Sequence, residues 1–265
     1  MPRARLRITA LVVLSLVAVT AAPAQTQPTR TIHVFVALAD NQHQGIVPVP
    51  ARLGNGLDPA HNLYWGAAAG VKTFFARSRE WSLLQCGRNA SSPVVLERCV
   101  FIHRNSGVYL VADAYRGDAI QQAIVAFLDA AAGGTPENVK LARPTGVTLA
   151  IRGGASLVAY VGHDGLMDFR LPLTPRRKND RRRDAIILAC ASQQYFAEAL
   201  RLSGAHPLLW TTNLMAPEAY TLKSAIEGWI TGESGEQIRR RAASAYDKYQ
   251  HCGLRGAMRL FATGW

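Results

Sequence analysis

Apolar positions in this chain gather into short continuous runs, separated by stretches of helical period. The run Thr31–Ala39 (TIHVFVALA) is apolar and β-branched and stops at Asp40-Asn41. It predicts a buried strand that meets a loop. From Gln42 to about Asn62 the chain is rich in Gly, Pro and Asn and has no period. That exceeds an ordinary connection and predicts a functional or lid-like loop. Tyr64–Trp81 carries an approximate apolar stripe of Val71, Phe74, Phe75 and Trp81, which predicts a helix. Pro93–His103 and Gly107–Ala112 read as strands joined at Arg104-Asn105-Ser106. The second ends at Asp113 and hands over to a helix across Asp118–Ala132. Ile120, Ile124, Phe127 and Leu128 share one face of that helix, and Gly133-Gly134 stops it.

Further on, Val147–Ile151 and Ala155–Val161 predict a strand pair around Arg152-Gly153-Gly154. Asp184–Ala189 predicts a short buried strand, followed by a helix from about Ser192 to Leu202. Pro207–Thr212 predicts another strand, and Pro217 opens a helix to about Ile230 with Gly232 as its stop. Helices over Glu236–Cys252 and Leu254–Phe261 close the chain. The alternation predicts an α/β fold: a mainly parallel central sheet with helices on both faces. Ligands in such folds sit outside the carboxyl ends of the strands. The residues worth asking about are therefore Asp40, Asn41, Asp113, His163, Asp164, Cys190 and Thr211–Asn213.

The first residues change the picture of where the protein acts. Arg3, Arg5 and Arg7 precede the apolar run Ile8–Val19 and the small residues Ala22-Pro23-Ala24. That is the pattern of a secretory signal peptide, expected over 1–24 and removed before a short linker, 25–30, and one α/β domain, 31–265. The apolar run falls short of the about 20 residues that span a bilayer. The protein is expected to be exported, periplasmic or secreted, from a Gram-negative bacterium.

At 265 residues, with a hydrophobic share of 49% and 18% charged, the chain has the makings of a globular core. Its net charge is +12, and losing the three leader arginines leaves +9. Six positives crowd into Arg176-Arg177-Lys178-Asn179-Asp180-Arg181-Arg182-Arg183, a segment with no aromatic platform for bases. It reads as a solvated loop, with a weak attraction to an anionic envelope surface, and no nucleic-acid partner is expected. Four cysteines are too few for a disulfide scaffold. In an oxidising compartment Cys86 and Cys99 form the expected bridge, across a 13-residue step between a helix end and a strand.

Two strand ends carry the candidate chemistry. Leu157–Val161 runs into Gly162-His163-Asp164-Gly165, and Ile186–Ala189 into Cys190-Ala191-Ser192. Neighbouring strands lie about 4.8 Å apart, so residues one step past their ends reach the same substrate atom. A thiol and an imidazole there suit nucleophilic acyl transfer, with Cys190 attacking and His163 handling protons. The helix after Cys190 is expected to lower its thiol pKa. Backbone N–H groups of Cys190 and Gly165 are the candidate oxyanion hole. A lone Cys or His at a strand end is commonly structural, and it is the matched pair that favours catalysis.

These motifs, Gly-His-x-Gly after one apolar strand and Ala-Cys-x-Ser after the next, resemble those of the caspase-like (clan CD) cysteine peptidases. The spacing of 27 residues between His163 and Cys190 is similar to the compact separase and gingipain-like arrangement. The resemblance covers about residues 31–230 and implies a caspase-hemoglobinase-like sheet, His163 as the catalytic histidine, Cys190 as the nucleophile, and a protein or peptide substrate. The chain departs from it by inserting Asp164 between His163 and Gly165. Asp164 is a candidate for contacting a basic substrate side chain, with Asp40, Asn41 and Asn213 as further substrate-binding candidates at the same sheet edge. The basic loop 176–183 is a candidate processing site.

No HExxH or CxxC spacing occurs, nor Gly-x-Ser-x-Gly or Walker A, so neither a metal nor another cofactor is expected. Two other readings stay open. One is a caspase-like fold that has lost turnover and serves as an envelope binding or scaffold protein. The other is an unrelated α/β binding protein with Cys190 in its core.

Overall fold

In the computed structural model, residues 29–88, 92–143 and 145–265 are described. The expected signal peptide, 1–24, lies outside them, as does most of the linker. The first half runs β1 (Thr31–Ala37), α1 (Val71–Ala76), β2 (Trp81–Gly87), β3 (Val95–His103), β4 (Tyr109–Tyr115), α2 (Ile120–Ala131), β5 (Glu137–Lys140) and β6 (Thr148–Ile151). The second half runs β7 (Leu157–Val161), β8 (Asp184–Leu188), α3 (Ser192–Ser203), β9 (His206–Thr211), α4 (Ala219–Ile230), α5 (Gly235–Gln250), α6 (Leu254–Leu260) and β10 (Phe261–Ala262).

Every residue of β1 is buried because both of its faces are covered. Ile32, Val34 and Val36 point into one core, packed by α1, α4 and α5. Phe35 and Ala37 point into the other, packed by α2 and α3. Eight strands form one sheet in the order β10-β9-β8-β7-β1-β4-β3-β2. The middle of it, from β9 to β4, is parallel throughout. β3 and β2 extend one edge antiparallel, and β10 pairs antiparallel with β9 on the other. The expected α/β class, with a mostly parallel central sheet and helices, is what forms.

Several local expectations need correcting. Tyr64–Trp81 is not one helix. Its first third folds into turns on the Asn62 carbonyl, which accepts from Trp65, Gly66 and Ala67. Only Val71–Ala76 is helical, and Trp81 begins β2. The strands around Arg152 do not pair with each other. β6 pairs with β5 in a separate hairpin, while β7 joins the main sheet between β1 and β8. The hairpin brings Val139, Leu141, Leu149 and Ile151 onto Val100, Tyr109 and Val111, capping the antiparallel part of the sheet.

Asp113 is not at a strand end, since β4 continues to Tyr115. Its carboxylate lies buried under the hairpin, gripped by Arg98 Nε at 2.6 Å and Nη2 at 2.7 Å, with His33 Nε2 at 3.1 Å. Burial alone would raise its pKa. The Arg98 and His33 contacts outweigh that and hold it at about 2. Arg98 and Arg152 also clamp Glu137 of the hairpin, at 2.5 and 2.9 Å.

The basic loop is mostly solvated, with one exception. Arg183 is buried and donates from Nε and Nη2 to the Gly153 carbonyl, at 3.0 and 2.7 Å. The expected bridge between Cys86 and Cys99 is present. It spans directly opposite residues of β2 and β3 rather than a helix end and a strand. Among the described residues, Cys86, Glu97 and Cys99 are the one group close enough to hold a metal ion, and both sulfurs are committed to that bridge. No helix among the described residues is long and apolar enough to cross a membrane.

Candidate active site

Cys190 leaves β8 in a tight strand-to-helix turn. Ala191 takes a left-handed conformation (φ 46°, ψ 32°) before α3 begins at Ser192. A non-glycine residue held there costs energy, and the surroundings explain how it is held. The Ala191 N–H donates to the Asn213 carbonyl at 2.9 Å. Ser192 Oγ donates to the Ile187 carbonyl at 3.0 Å, and the Ser192 N–H donates to Thr211 Oγ1 at 3.1 Å. Thr211 Oγ1 in turn donates to the Ala189 carbonyl. The turn presenting the thiol is thus bolted to the end of β9.

His163 leaves the neighbouring strand, β7, through Gly162 (φ 152°). A Cβ at Gly162 would lie 2.9 Å from the Ala37 carbonyl of β1, so close strand packing demands glycine there. Tyr160 Oη donates to the His163 carbonyl at 2.8 Å. The imidazole is buried apart from a 7% exposure, and its Nε2 lies 2.6 Å from Asp168 Oδ2. The short helical turn Gly165–Met167 swings Asp168 back onto the ring. With the Asp168 carboxylate accepting from Nε2–H, Nδ1 is the basic nitrogen. The same carboxylate accepts from the Gly45 N–H at 3.3 Å, tying the long loop to the site.

His163 and Cys190 line one pocket of about 360 Å³. Its walls are apolar: Ile46, Val47 and Val49 from the long loop, Leu63 and Tyr64 beyond it, and Met167, Leu214, Met215 and Pro217 opposite. Glu218 is the one carboxylate among the lining residues. Cys190 Sγ faces the backbone of Met215, accepting from its N–H at 3.4 Å and donating to its carbonyl at 3.6 Å. Burial pushes the thiol pKa up, the Met215 N–H pulls it back in part, and the Asp164 charge pushes it further up. The expected lowering by the helix start therefore does not prevail, and the thiol stays protonated at rest.

Asp164 is fully buried. Its Oδ1 accepts from the Leu166 N–H at 3.0 Å, and its Oδ2 has no partner among the described residues. Burial first, and the Asp168 charge in addition, raise its carboxyl pKa to about 7.

The other expected site residues lie around the pocket rather than on its wall. Asp164 is buried and is not among the lining residues, though its charge reaches the Cys190 thiol. Asp40 accepts from the Gln42 and His43 N–H groups and from His43 Nδ1, at 2.9, 3.2 and 3.0 Å, beside a second cleft that Asn41 also lines. Asn41 acts at one remove: its amide exchanges two hydrogen bonds with Val49, at 2.7 and 3.1 Å, shaping the loop that forms one wall. Asn213 supports the Cys190 turn through its carbonyl and lines a third cleft beside Cys252. Of the two expected oxyanion donors, the Gly165 N–H is donated to the His163 carbonyl at 3.1 Å, while no acceptor among the described residues takes the Cys190 N–H.

Sequence reasoning missed Asp168, Met215 and the apolar wall from the long loop. Asp168 had a usable signal, a carboxylate five residues after His163 across a turn-forming Gly165. Met215 had none, because it contributes its backbone.

No family model matches the chain, and no curated protein or solved structure matches it either.

Proposed function

We propose that the protein is an exported, cysteine-dependent hydrolase of the caspase-like kind, a peptidase acting through Cys190 and His163. The observation carrying this reading is that the two side chains leave adjacent parallel strands at the same edge and line one pocket, with the Asp168 carboxylate on Nε2 of the imidazole. Acyl transfer uses a nucleophile, a base and a group that orients the base, and these three side chains supply that set, which supports the reading.

His163 Nδ1 takes the proton of the Cys190 thiol as sulfur attacks the substrate carbonyl carbon. Asp168 steadies the imidazolium that forms. The Cys190 N–H meets the oxyanion. The tetrahedral intermediate expels the amine, which leaves with the proton held on His163, and a thioester to Cys190 remains. Water, deprotonated by the same imidazole, then attacks the thioester carbon; the carbon–sulfur bond breaks, the acid leaves, and the proton on His163 returns to the Cys190 sulfur. Because burial keeps the thiol protonated, proton removal accompanies attack rather than preceding it. The apolar wall favours an apolar substrate side chain beside the cut. Export rests on the leader pattern, and the Cys86–Cys99 bridge is compatible with it.

A thiol-directed activity probe tests the reading on wild type, Cys190→Ala and His163→Ala. Labelling of wild type that vanishes in the first variant and falls at least about a hundredfold in the second is expected. Cys190 that reacts only after denaturation would overturn it. The raised thiol pKa and the committed Gly165 N–H favour one competitor, a binding protein that has lost turnover. It requires an accessible Cys190 that cleaves no member of a peptide library.

A further inference from the structure

Across the α4 surface from the pocket lies a broad groove of about 810 Å³, set between the turn after α1, α4 and the end of α5. Its walls carry Arg77, Arg79, Lys223 and Lys248 against one carboxylate, Glu80. That carboxylate is already engaged, with Lys223 Nζ at 3.0 Å and Ser78 Oγ donating to it at 2.6 Å. Lys223 is shared with Glu227 at 3.4 Å. Arg77, Arg79 and Lys248 are exposed, and none of them forms an ion pair among the described residues. Cations gathered on one concave wall raise the local potential and draw in an anion. Aromatic side chains line the groove between them: Phe74, and a half-exposed Tyr249 stacked on Tyr220 with ring centres 4.2 Å apart.

One narrow ridge divides this groove from the pocket. Glu218 lines the pocket, and the N–H of the next residue, Ala219, donates at 2.8 Å to the carbonyl of Ala69, which lines the groove. Tyr220 beneath Tyr249 donates its hydroxyl to Glu218 at 2.8 Å, so the ridge is braced from both sides. An extended polypeptide gains about 3.3 Å per residue. A strand crossing this ridge would therefore pass from the pocket to the groove within a few residues.

We propose that the groove is an exosite that captures an acidic segment of the polypeptide substrate while an apolar residue of the same segment fills the pocket beside Cys190. Calling the captured segment a substrate, and preferring a polypeptide to a nucleic acid, rest on the hydrolase reading above; the attraction of the groove for an anionic segment rests on its unpaired cations alone. A polypeptide is favoured over a nucleic acid because the groove opens beside a thiol and imidazole suited to a carbonyl carbon.

The test is fluorescence anisotropy on the full chain carrying Cys190→Ala, with a labelled peptide in which an apolar residue is followed by a run of glutamates. Binding that weakens with added salt is expected. Adding Arg77→Glu, Arg79→Glu and Lys248→Glu should weaken it by about tenfold or more, with an unchanged circular dichroism spectrum. Reversing the exposed loop cations Arg176, Lys178 and Arg182 should leave it intact. Equal binding by the groove variant, equal loss in the loop variant, or stronger binding of a DNA oligonucleotide at the groove each overturns the exosite. In an otherwise wild-type chain, reversal of the groove cations should raise KM for the cognate acidic peptide and spare kcat. Thiol labelling reports separately. A reactive Cys190 without peptide capture removes the exosite alone, and capture by a chain whose Cys190 never reacts removes the hydrolase and the substrate role together.

Discussion

The proposed Cys190–His163 pair was legible because a thiol and an imidazole stood at matching places after two apolar runs. The residues packed around the pair were less so. Asp168 comes within 2.6 Å of His163 only because a short helical turn reverses the chain between them. Replacing it as Asp168→Asn removes the charge opposite the imidazolium while keeping the side chain's size. Labelling of Cys190 by the activity probe is expected to slow by about 10- to 100-fold, with an unchanged circular dichroism spectrum. Unchanged labelling would strip Asp168 of its positioning role.

Asp164 predicts a different behaviour. Its carboxyl titrates at about 7 in the folded protein, above the ordinary 3.8. The folded state therefore binds more protons than the unfolded one between those values, and stability falls as pH rises through that window. Asp164→Asn should match wild type near pH 4, gain over it up to pH 7, and hold that advantage above. Denaturant midpoints across pH measure this, and parallel curves for the two proteins would refute it.

Among the elements, the parallel strands and the long helices were the readable part. β1, β8 and β9 are short apolar runs buried on both faces, and α2 and α3 carry apolar stripes set against the sheet. Tyr64–Trp81 misled because aromatic residues at near-helical spacing are anchored one by one. Trp65 donates to Glu97 at 2.6 Å and Trp81 to Glu227 at 2.8 Å, from different elements. β5 went unseen because Glu-Asn-Val-Lys has little β propensity and is held by Arg98 and Arg152 through Glu137.

The β2–β3 edge depends on its bridge. Closing a loop of 13 residues removes unfolded-state entropy worth about 3 kcal/mol. Reduction, or Cys86→Ser with Cys99→Ser, should lower the denaturant midpoint accordingly while leaving Cys190 as reactive as before. An unshifted midpoint would show that the edge holds without it.

At the scale of the whole molecule, the loop after β1, the turns after β7 and β8, and the segment after β9 converge on one pocket whose wall is overwhelmingly apolar. That predicts a preference the inserted Asp164 does not. Acylating probes bearing leucine or phenylalanine should label Cys190 faster than those bearing arginine. A preference for arginine would return specificity to the buried carboxylate.

The parallel strands also settle where the two ends of the fold emerge. Thr31 opens β1 at the rim opposite the pocket, about 20 Å away along the strand. The return of β10 against β9 brings Gly264 beside Pro207, at that same far rim. A purification handle, a fluorescent reporter or a surface-immobilising linker joined directly before Thr31 or after Trp265 would therefore hang behind the molecule, leaving its mouth facing outward and unobstructed.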